Sequence, residues 1–352
     1  MIFRIKEIHT KLKERNLDGL ILSSNQNISY LTNSRSRDSY LLICGKKNIY
    51  LTDSRYIEEA KRNLKGCIIK KIDGAISSLI ADTCKDLRLK RVGFEENYMS
   101  FAEYNKIMNE IGTRISLIPT KGIVEGLRTI KNTVELSKIK KAIQITLQAF
   151  DFIKDFISPG KNELEIAGEL ERFIRLEGAY SSAFEIIVAS GPNSSFPHHI
   201  TSKRRIRNNE PVLIDIGVDY LGYKSDLTRM LFLGKIKASV KRIYAIIKEA
   251  QAKAIEEVKP GLTENKIDAV ARQYISQKGF GGFFGHSLGH GVGLEVHEAP
   301  QISSKGKEIL QPGMVFTIEP AIYLPGKFGI RIEDMVLVTK KGARLISGTF
   351  NK

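Results

Sequence analysis

Cysteine is scarce in this chain of 352 residues, and what there is of it is scattered. Cys44, Cys67 and Cys84 form no Cys-x-x-Cys pair, so neither a disulfide framework nor a cysteine zinc site is expected. Thiols kept reduced in a cytoplasm are the simplest reading. Long apolar runs are missing too: none approaches the roughly 18 residues that a membrane span needs. The opening stretch, MIFRIKEIHTKLKERN, is charged throughout and does not read as a secretory signal. Histidine is rare, six in all, so the position of each one is informative. Against these shortages, a hydrophobic content of 42% is ample for a packed core, and the length favours two domains over one.

Charge is abundant and one-sided, with a formal net value of +16. Lys203, Arg204, Arg205 and Arg207 form a local basic cluster. Basic residues are nevertheless spread along the whole chain, without aromatic interleaving or a recognisable nucleic-acid motif. Solubility explains such a balance as well as nucleic acid does, and nucleic acid is not expected as the main partner.

The acids are placed more tellingly. Val212 to Val218 and Tyr223 to Phe232 are β-branched or aromatic runs separated by a short stretch containing Gly222, the pattern of a hairpin. It sets Asp215 nearly opposite Asp226. Val315 to Leu324 and Gly329 to Val338 repeat the pattern around the turn dipeptide Pro325-Gly326, which sets Glu319 roughly opposite Glu333. Directly opposed side chains share a face with Cβ atoms about 5 Å apart, so each hairpin would force two carboxylates together. An ionised carboxylate in an apolar strand is costly unless paired or bound to metal. A salt bridge to Arg229, Arg331 or a lysine would explain any one acid. It does not readily explain four acids together with His290, which follows in GHSLGHGVGLEVHE. Oxygen-rich ligation with one imidazole suits Mn, Co, Fe or Zn, and bridging carboxylates suit two ions about 3.5 Å apart, able to ready water for attack on an amide.

Gly285, Gly289, Gly291 and Gly293 surround His290 and are expected to allow positive φ and close approach of a ligand. The segment lacks the Lys-Ser/Thr ending of a P-loop, which discounts phosphate binding. His286 lies four residues before His290, the spacing of a helical metal pair, but the intervening Ser-Leu-Gly argues against a helix. A role orienting the metal ligands fits His286 better than ligation itself. His9 falls in a charged amphipathic stretch and reads as a surface residue, while His199 is left open.

An internal repeat divides the C-terminal two-thirds. Pro159-Gly160 recurs as Pro260-Gly261, Glu163 as Glu264, Ile166 as Ile267, Ile174 as Ile275 and Gly178 as Gly279, all at an offset of 101 residues. Each copy reads as two amphipathic helices ahead of strand-rich sequence, with a ligand site between the halves. The N-terminal third differs. Short strands at Leu20 to Ser23, Tyr40 to Cys44, Asn48 to Thr52 and Arg91 to Phe94, with helices at Ile2 to Arg15 and Ser54 to Leu64, suggest an α/β domain. KGIVEGLRTIKN reads as a linker, with the boundary between 122 and 132, leading into a helix over Thr133 to Ile157.

These motifs resemble the creatinase, methionine aminopeptidase and prolidase superfamily, peptidase family M24. HGVGLEVHEAP at 290–300 and FTIEPAIYLPGKFGIRIED at 316–334 carry the resemblance in the catalytic part, and NISYLTN at 27–33 and YLTDSRY at 50–56 carry it in the N-terminal part. It implies an α/β creatinase/prolidase-type domain over 1–125, followed over 132–352 by an α+β catalytic domain of the pita-bread fold with a pseudo-twofold repeat. It also implies that Asp226 and Glu333 bridge two divalent metals, Mn or Co first and Zn or Fe next. Asp215 would complete one site, and His290 and Glu319 the other. Glu319 would be the general base, with His198 and His297 binding the substrate carbonyl. Subunit pairing through the N-terminal domain, as a homodimer, is expected as well.

Within that family the expected substrates are peptides with proline after the scissile bond. Where prolidases tend to carry an arginine that grips a dipeptide's carboxylate, this chain has Gln301, and an amide cannot replace a bidentate guanidinium. The reading therefore leans to a Xaa-Pro aminopeptidase. The alternative is a Xaa-Pro dipeptidase, with Arg331 or Lys203 supplying the missing cation. Ala321, in place of a commonly seen glycine, leaves the ligands untouched. A metal-free hydrolase such as creatinase, or a binding scaffold on the same fold, is the reading from a different class, and the presence of all five ligands weighs against both.

Overall fold

The central strands of the N-terminal unit, GLIL at 19–22 and SYLLIC at 39–44 among them, are apolar on both faces and demand cover on both sides. In the computed structural model, which describes residues 2–348, contacts divide the chain into residues 1–128 and 129–352. The first unit runs α1 (Ile2–Glu14), β1 (Gly19–Leu22), α2 (Asn25–Thr32), β2 (Ser39–Cys44), β3 (Lys47–Thr52), α3 (Ile57–Asn63), β4 (Ile68–Lys71), α4 (Ile76–Asp86), β5 (Arg91–Glu95), α5 (Phe101–Ile111), β6 (Ser116–Thr120) and α6 (Glu125–Arg128). Its mixed sheet has the order β4-β3-β2-β1-β5-β6. Ile21, Leu42, Leu51 and Val92 from the central strands pack with Ile80, Cys84 and Ile107 from the helices. The segment read as a linker carries the four-residue helix α6.

The second unit begins with α7 (Thr133–Phe156) and α8 (Glu163–Leu176). Asn132 and Asn162 start these helices, each in a reciprocal cap with the glutamate three residues on, Glu135 and Glu165. The strands β7 (Ser181–Ser182), β8 (Ile187–Ser190), β9 (Pro211–Ile216), β10 (Val218–Tyr220), β11 (Tyr223–Lys224) and β12 (Leu227–Phe232) follow. Then α9 (Ala238–Glu257) and α10 (Glu264–Gln277) open the second half. It ends in β13 (Gly289–Gly291), β14 (Glu298–Ile302), β15 (Val315–Ile318), β16 (Ala321–Leu324), β17 (Phe328–Arg331), β18 (Asp334–Thr339) and β19 (Gly342–Leu345). The offset of the sequence repeat is visible in the packing. Ile166, Leu170 and Ile174 of α8 are fully buried at four-residue spacing, and so are Ile267, Ala271 and Ile275 of α10. Two helix-helix-sheet halves of the pita-bread type result. Among the described residues no helix is long and apolar enough to cross a membrane.

Strand register decides how the acids meet. Ile318 pairs with Asp334 and Ala321 with Arg331, one register on either side of a short interruption, so Glu319 falls across from Glu333 as the sequence predicts. The first hairpin differs from expectation. Asp215 pairs with Thr228, and the same register continued through Asp219 and Lys224 puts Asp226 opposite Gly217. Leu221 and Gly222, both at positive φ, form a tight turn that sets this register. Asp215 and Asp226 are therefore diagonal neighbours on one face rather than opposed, still within reach of a shared ligand.

Gly217 is where the two arms of this hairpin touch: a Cβ there would lie 2.2 Å from the Ser225 carbonyl oxygen and 2.6 Å from the Phe184 ring. Gly217→Ala is expected to cost about 1–3 kcal/mol through overpacking. A thermal melt checks this, and an unchanged Tm contradicts the tight approach.

Candidate metal centre

The acid-bearing strands of both halves end at the floor of one cavity of about 870 Å3 within the second unit. Asp226, His290 and Glu333 each bring one ligand atom to within 4.8 Å of the others. His290 Nε2 lies 3.6 Å from Asp226 and 3.3 Å from Glu319. Asp215 and Glu319 line the same cavity. The structure thus brings together all five residues expected as ligands, from β9, from the residue before β12, from β13 and from the interruption between β15 and β16 and between β17 and β18.

Hydroxyls and one arginine orient the set. Thr317 donates to Glu319 at 3.1 Å and accepts the His290 N–H at 3.1 Å. Thr228 donates to Glu333 at 2.7 Å. Arg331 donates to Asp215 Oδ2 at 2.5 Å, to Thr228 at 3.0 Å, to Tyr323 at 2.6 Å and to the Pro197 carbonyl at 3.1 Å. Arg331, expected to bind substrate, lines the cavity. Only 4% exposed, its guanidinium is committed to the protein and holds Asp215 from beneath. Arg229, the other arginine weighed as a partner for the acids, pairs with Asp334 at 2.6 Å instead.

His198 and His297 are exposed on the cavity wall. The His297 ring lies 4.1 Å from that of His290, and partial burial together with the His290 charge lowers its pKa. His286 is 4.0 Å from Glu319 and 3.2 Å from the Tyr323 hydroxyl, outside the triplet of converging atoms, in keeping with an orienting role. His199 is held by Glu163 at 2.8 Å. The glycines beside His290 serve a purpose other than the expected one. None of the four is at positive φ. A Cβ on Gly289 would lie 1.9 Å from the Thr317 carbonyl oxygen, and one on Gly291 would lie 2.1 Å from that of Ala299, so neighbouring strands rather than a ligand exclude side chains there. Tyr323, Thr228 and Thr317 were not read as site residues. Thr228 could have been, since it stands two residues after Asp226 on the same face of a strand.

Electrostatics favour a cation. Burial, and after it the charge of Asp215, pushes the Asp226 carboxyl well above its usual range, and burial with Asp226 does the same to Glu333. Burial opposes a charged ring at His290, yet the hydrogen bond to Glu319 and the charge of Asp226 raise it to about 9. Burial likewise opposes ionised Glu319, but His290 outweighs it and lowers that pKa. Asp215 Oδ1 is buried without a hydrogen-bond partner. Orphaned and crowded oxygens with one imidazole are the donor set of a hard or borderline divalent ion.

Without bound metal, raised pKa values mean that the folded state keeps protons which the unfolded chain releases. His290 then contributes stability fully below pH 6.5 and loses it as pH rises to about 9, and Asp226 and Glu333 act in the same direction from the ordinary carboxylate range upward. After chelation, the Tm advantage of the wild type over His290→Ala should shrink between pH 6.5 and 9. A gap that stays constant contradicts the charged His290.

Comparison with known proteins agrees with the geometry. Residues 137–340 match "Metallopeptidase family M24", and residues 4–130 match "Creatinase/Prolidase N-terminal domain". A Xaa-Pro dipeptidase of Pyrococcus horikoshii is 35% identical over 98% of this chain and 97% of its own. The solved Xaa-Pro dipeptidase from Bacillus anthracis superposes with a TM-score of 0.95 at 39% identity, covering 99% of this chain and 98% of that one. The X-Pro aminopeptidase from Thermotoga maritima superposes with a TM-score of 0.88 at 36% identity, covering 95% and 96%. With both domains matched and its acids gathered around one histidine, the chain belongs to metallopeptidase family M24, and that membership implies use of divalent metal.

Proposed function

We propose that this protein is a dinuclear-metal Xaa-Pro dipeptidase, hydrolysing the bond between a first residue and a following proline. The convergence of Asp226, Glu333 and His290 at the cavity floor carries the reading, with Asp215 and Glu319 beside them. Asp226 and Glu333 would be shared by two ions, with Asp215 on one side and His290 and Glu319 on the other. Mn or Co fits this set first, Zn or Fe next. Bound there, the ions supply Lewis acidity and make water acidic enough to be a nucleophile near neutral pH.

The chain's own residues do the rest. Glu319 would accept a proton from the attacking water and pass it to the leaving proline nitrogen. His297 and His198, which line the same cavity, would donate to the carbonyl oxygen as it gains charge. Arg331 holds Asp215 in place and opposes the burial that raises the pKa of that carboxyl.

The expectation of an aminopeptidase gives way to its alternative. Dipeptidases and prolidases recur among the relatives, the Pyrococcus furiosus Xaa-Pro dipeptidase being 34% identical over 98% of both chains. Gln301 argued otherwise only if a carboxylate must be read at that one position. The catalytic domain is taken as 132–352 and the accessory domain as 1–125, acting in the cytoplasm as a homodimer.

Chelation should lower hydrolysis of Ala-Pro by about a hundredfold or more, with recovery on adding Mn or Co, and Asp226→Ala should not recover. Ala-Pro should be cleaved in preference to Ala-Pro-Ala. Full activity of Asp226→Ala would overturn the metal site, and preference for the tripeptide would restore the aminopeptidase.

A further inference from the structure

We propose that Lys305 and Lys307 recognise the free carboxylate of the substrate, in place of the arginine that Gln301 lacks. The inference rests on the dipeptidase reading. A dipeptide carries its carboxylate one residue beyond the bond that is cut, and here it would enter a cavity lined by Asp215, Asp226, Glu319 and Glu333 at its floor and by Glu185 and Glu308 on its wall. Such a substrate needs a positive group outside the metal centre. Arg331 is committed beneath Asp215, and Lys203 is not on the cavity wall. Lys131 is paired with Glu298 at 2.8 Å, and Arg204 with Glu210 at 2.7 Å. Lys305 and Lys307 are the lysines lining the cavity; both are exposed, and among the described residues neither is in an ion pair.

Their loop is built to hold a position. Gln301 pairs with His290 across β13 and β14, so the loop leaves the sheet directly beside the metal histidine. Glu264, only 3% exposed, accepts the Gln301 N–H at 2.7 Å and the Glu308 N–H at 3.2 Å. Gly306, between the two lysines, rests against that anchor: a Cβ there would lie 2.5 Å from Glu264 Cβ and 2.7 Å from the Gln301 carbonyl oxygen. The Gly306 carbonyl also accepts the Asn265 N–H at 3.3 Å. The backbone is pinned between two unpaired lysines that line the cavity, the arrangement of a preorganised anion wall.

The test sets Ala-Pro against its C-terminal amide, in wild type and in the double variant Lys305→Gln/Lys307→Gln. Wild type should favour the acid by about tenfold or more in kcat/KM, and the preference should narrow as salt is raised. The double variant should lose that preference through a higher KM for Ala-Pro, with kcat and the activity on the amide within about twofold of wild type. The amide thereby reports that the variant is folded and its metal centre intact. A double variant that keeps the wild-type preference, or a wild type that cleaves acid and amide equally, overturns the role of the lysines. A wild type that cleaves neither overturns instead the proline-directed reading beneath it.

Discussion

Four carboxylates on one cavity floor repel one another, and the rest of the catalytic unit is arranged around what offsets that repulsion. Arg331 neutralises Asp215, and His290 stands between Asp226 and Glu319. Burial still raises the pKa of Asp215, and burial with the neighbouring carboxylates raises Asp226 and Glu333 well above the usual range. Burying such charges unpaired costs several kcal/mol each, so a fold that keeps them is one that obtains cations from outside. Thr228 and Thr317 donate to Glu333 and Glu319, Thr317 accepts the His290 backbone N–H, and Tyr323 accepts from Arg331, which orders the site before an ion arrives.

Much of this was legible in the sequence because strands impose a period of two. The Pro325-Gly326 turn set one hairpin correctly, and Glu319 faces Glu333. The other register was not legible: a turn at Leu221 and Gly222 shifts Asp226 by two residues, and φ values at a leucine cannot be foreseen from its side chain. Strand periodicity keeps both aspartates on one face in either register, so the chemical conclusion survived a geometric error. In the N-terminal unit the central strands were plain, while β4 and β6 were not. Both are edge strands; one ends in Lys70 and Lys71 and the other contains Pro119, features that blunt an edge and also hide it. Arg331 illustrates a further limit, since sequence shows a charge near a site without showing which side of the site it serves.

The duplicated halves explain how the cavity walls are held. Glu163 and Glu264 occupy equivalent places at the starts of α8 and α10, both buried. Glu163 accepts the backbone N–H of Ser190 at 2.8 Å and of Ser202 at 3.1 Å and holds His199, bracing the loop that carries His198. Glu264 braces the loop of Lys305 and Lys307. One device, repeated, braces the loop of His198 in one half and the loop of Lys305 and Lys307 in the other. The repeat of Glu163 as Glu264 was visible in the sequence, but nothing there distinguished a buried anchor from a helix-start glutamate favoured by the dipole.

The most direct test of a carboxylate cage built for two cations is anomalous diffraction from crystals of the protein loaded with Mn. Two peaks about 3.5 Å apart, both within bonding distance of Asp226 and Glu333, with Asp215 on one and His290 and Glu319 on the other, are the predicted result. A map with no peak there, or with ions bound elsewhere while Asp226 and Glu333 stay unligated, would contradict the account.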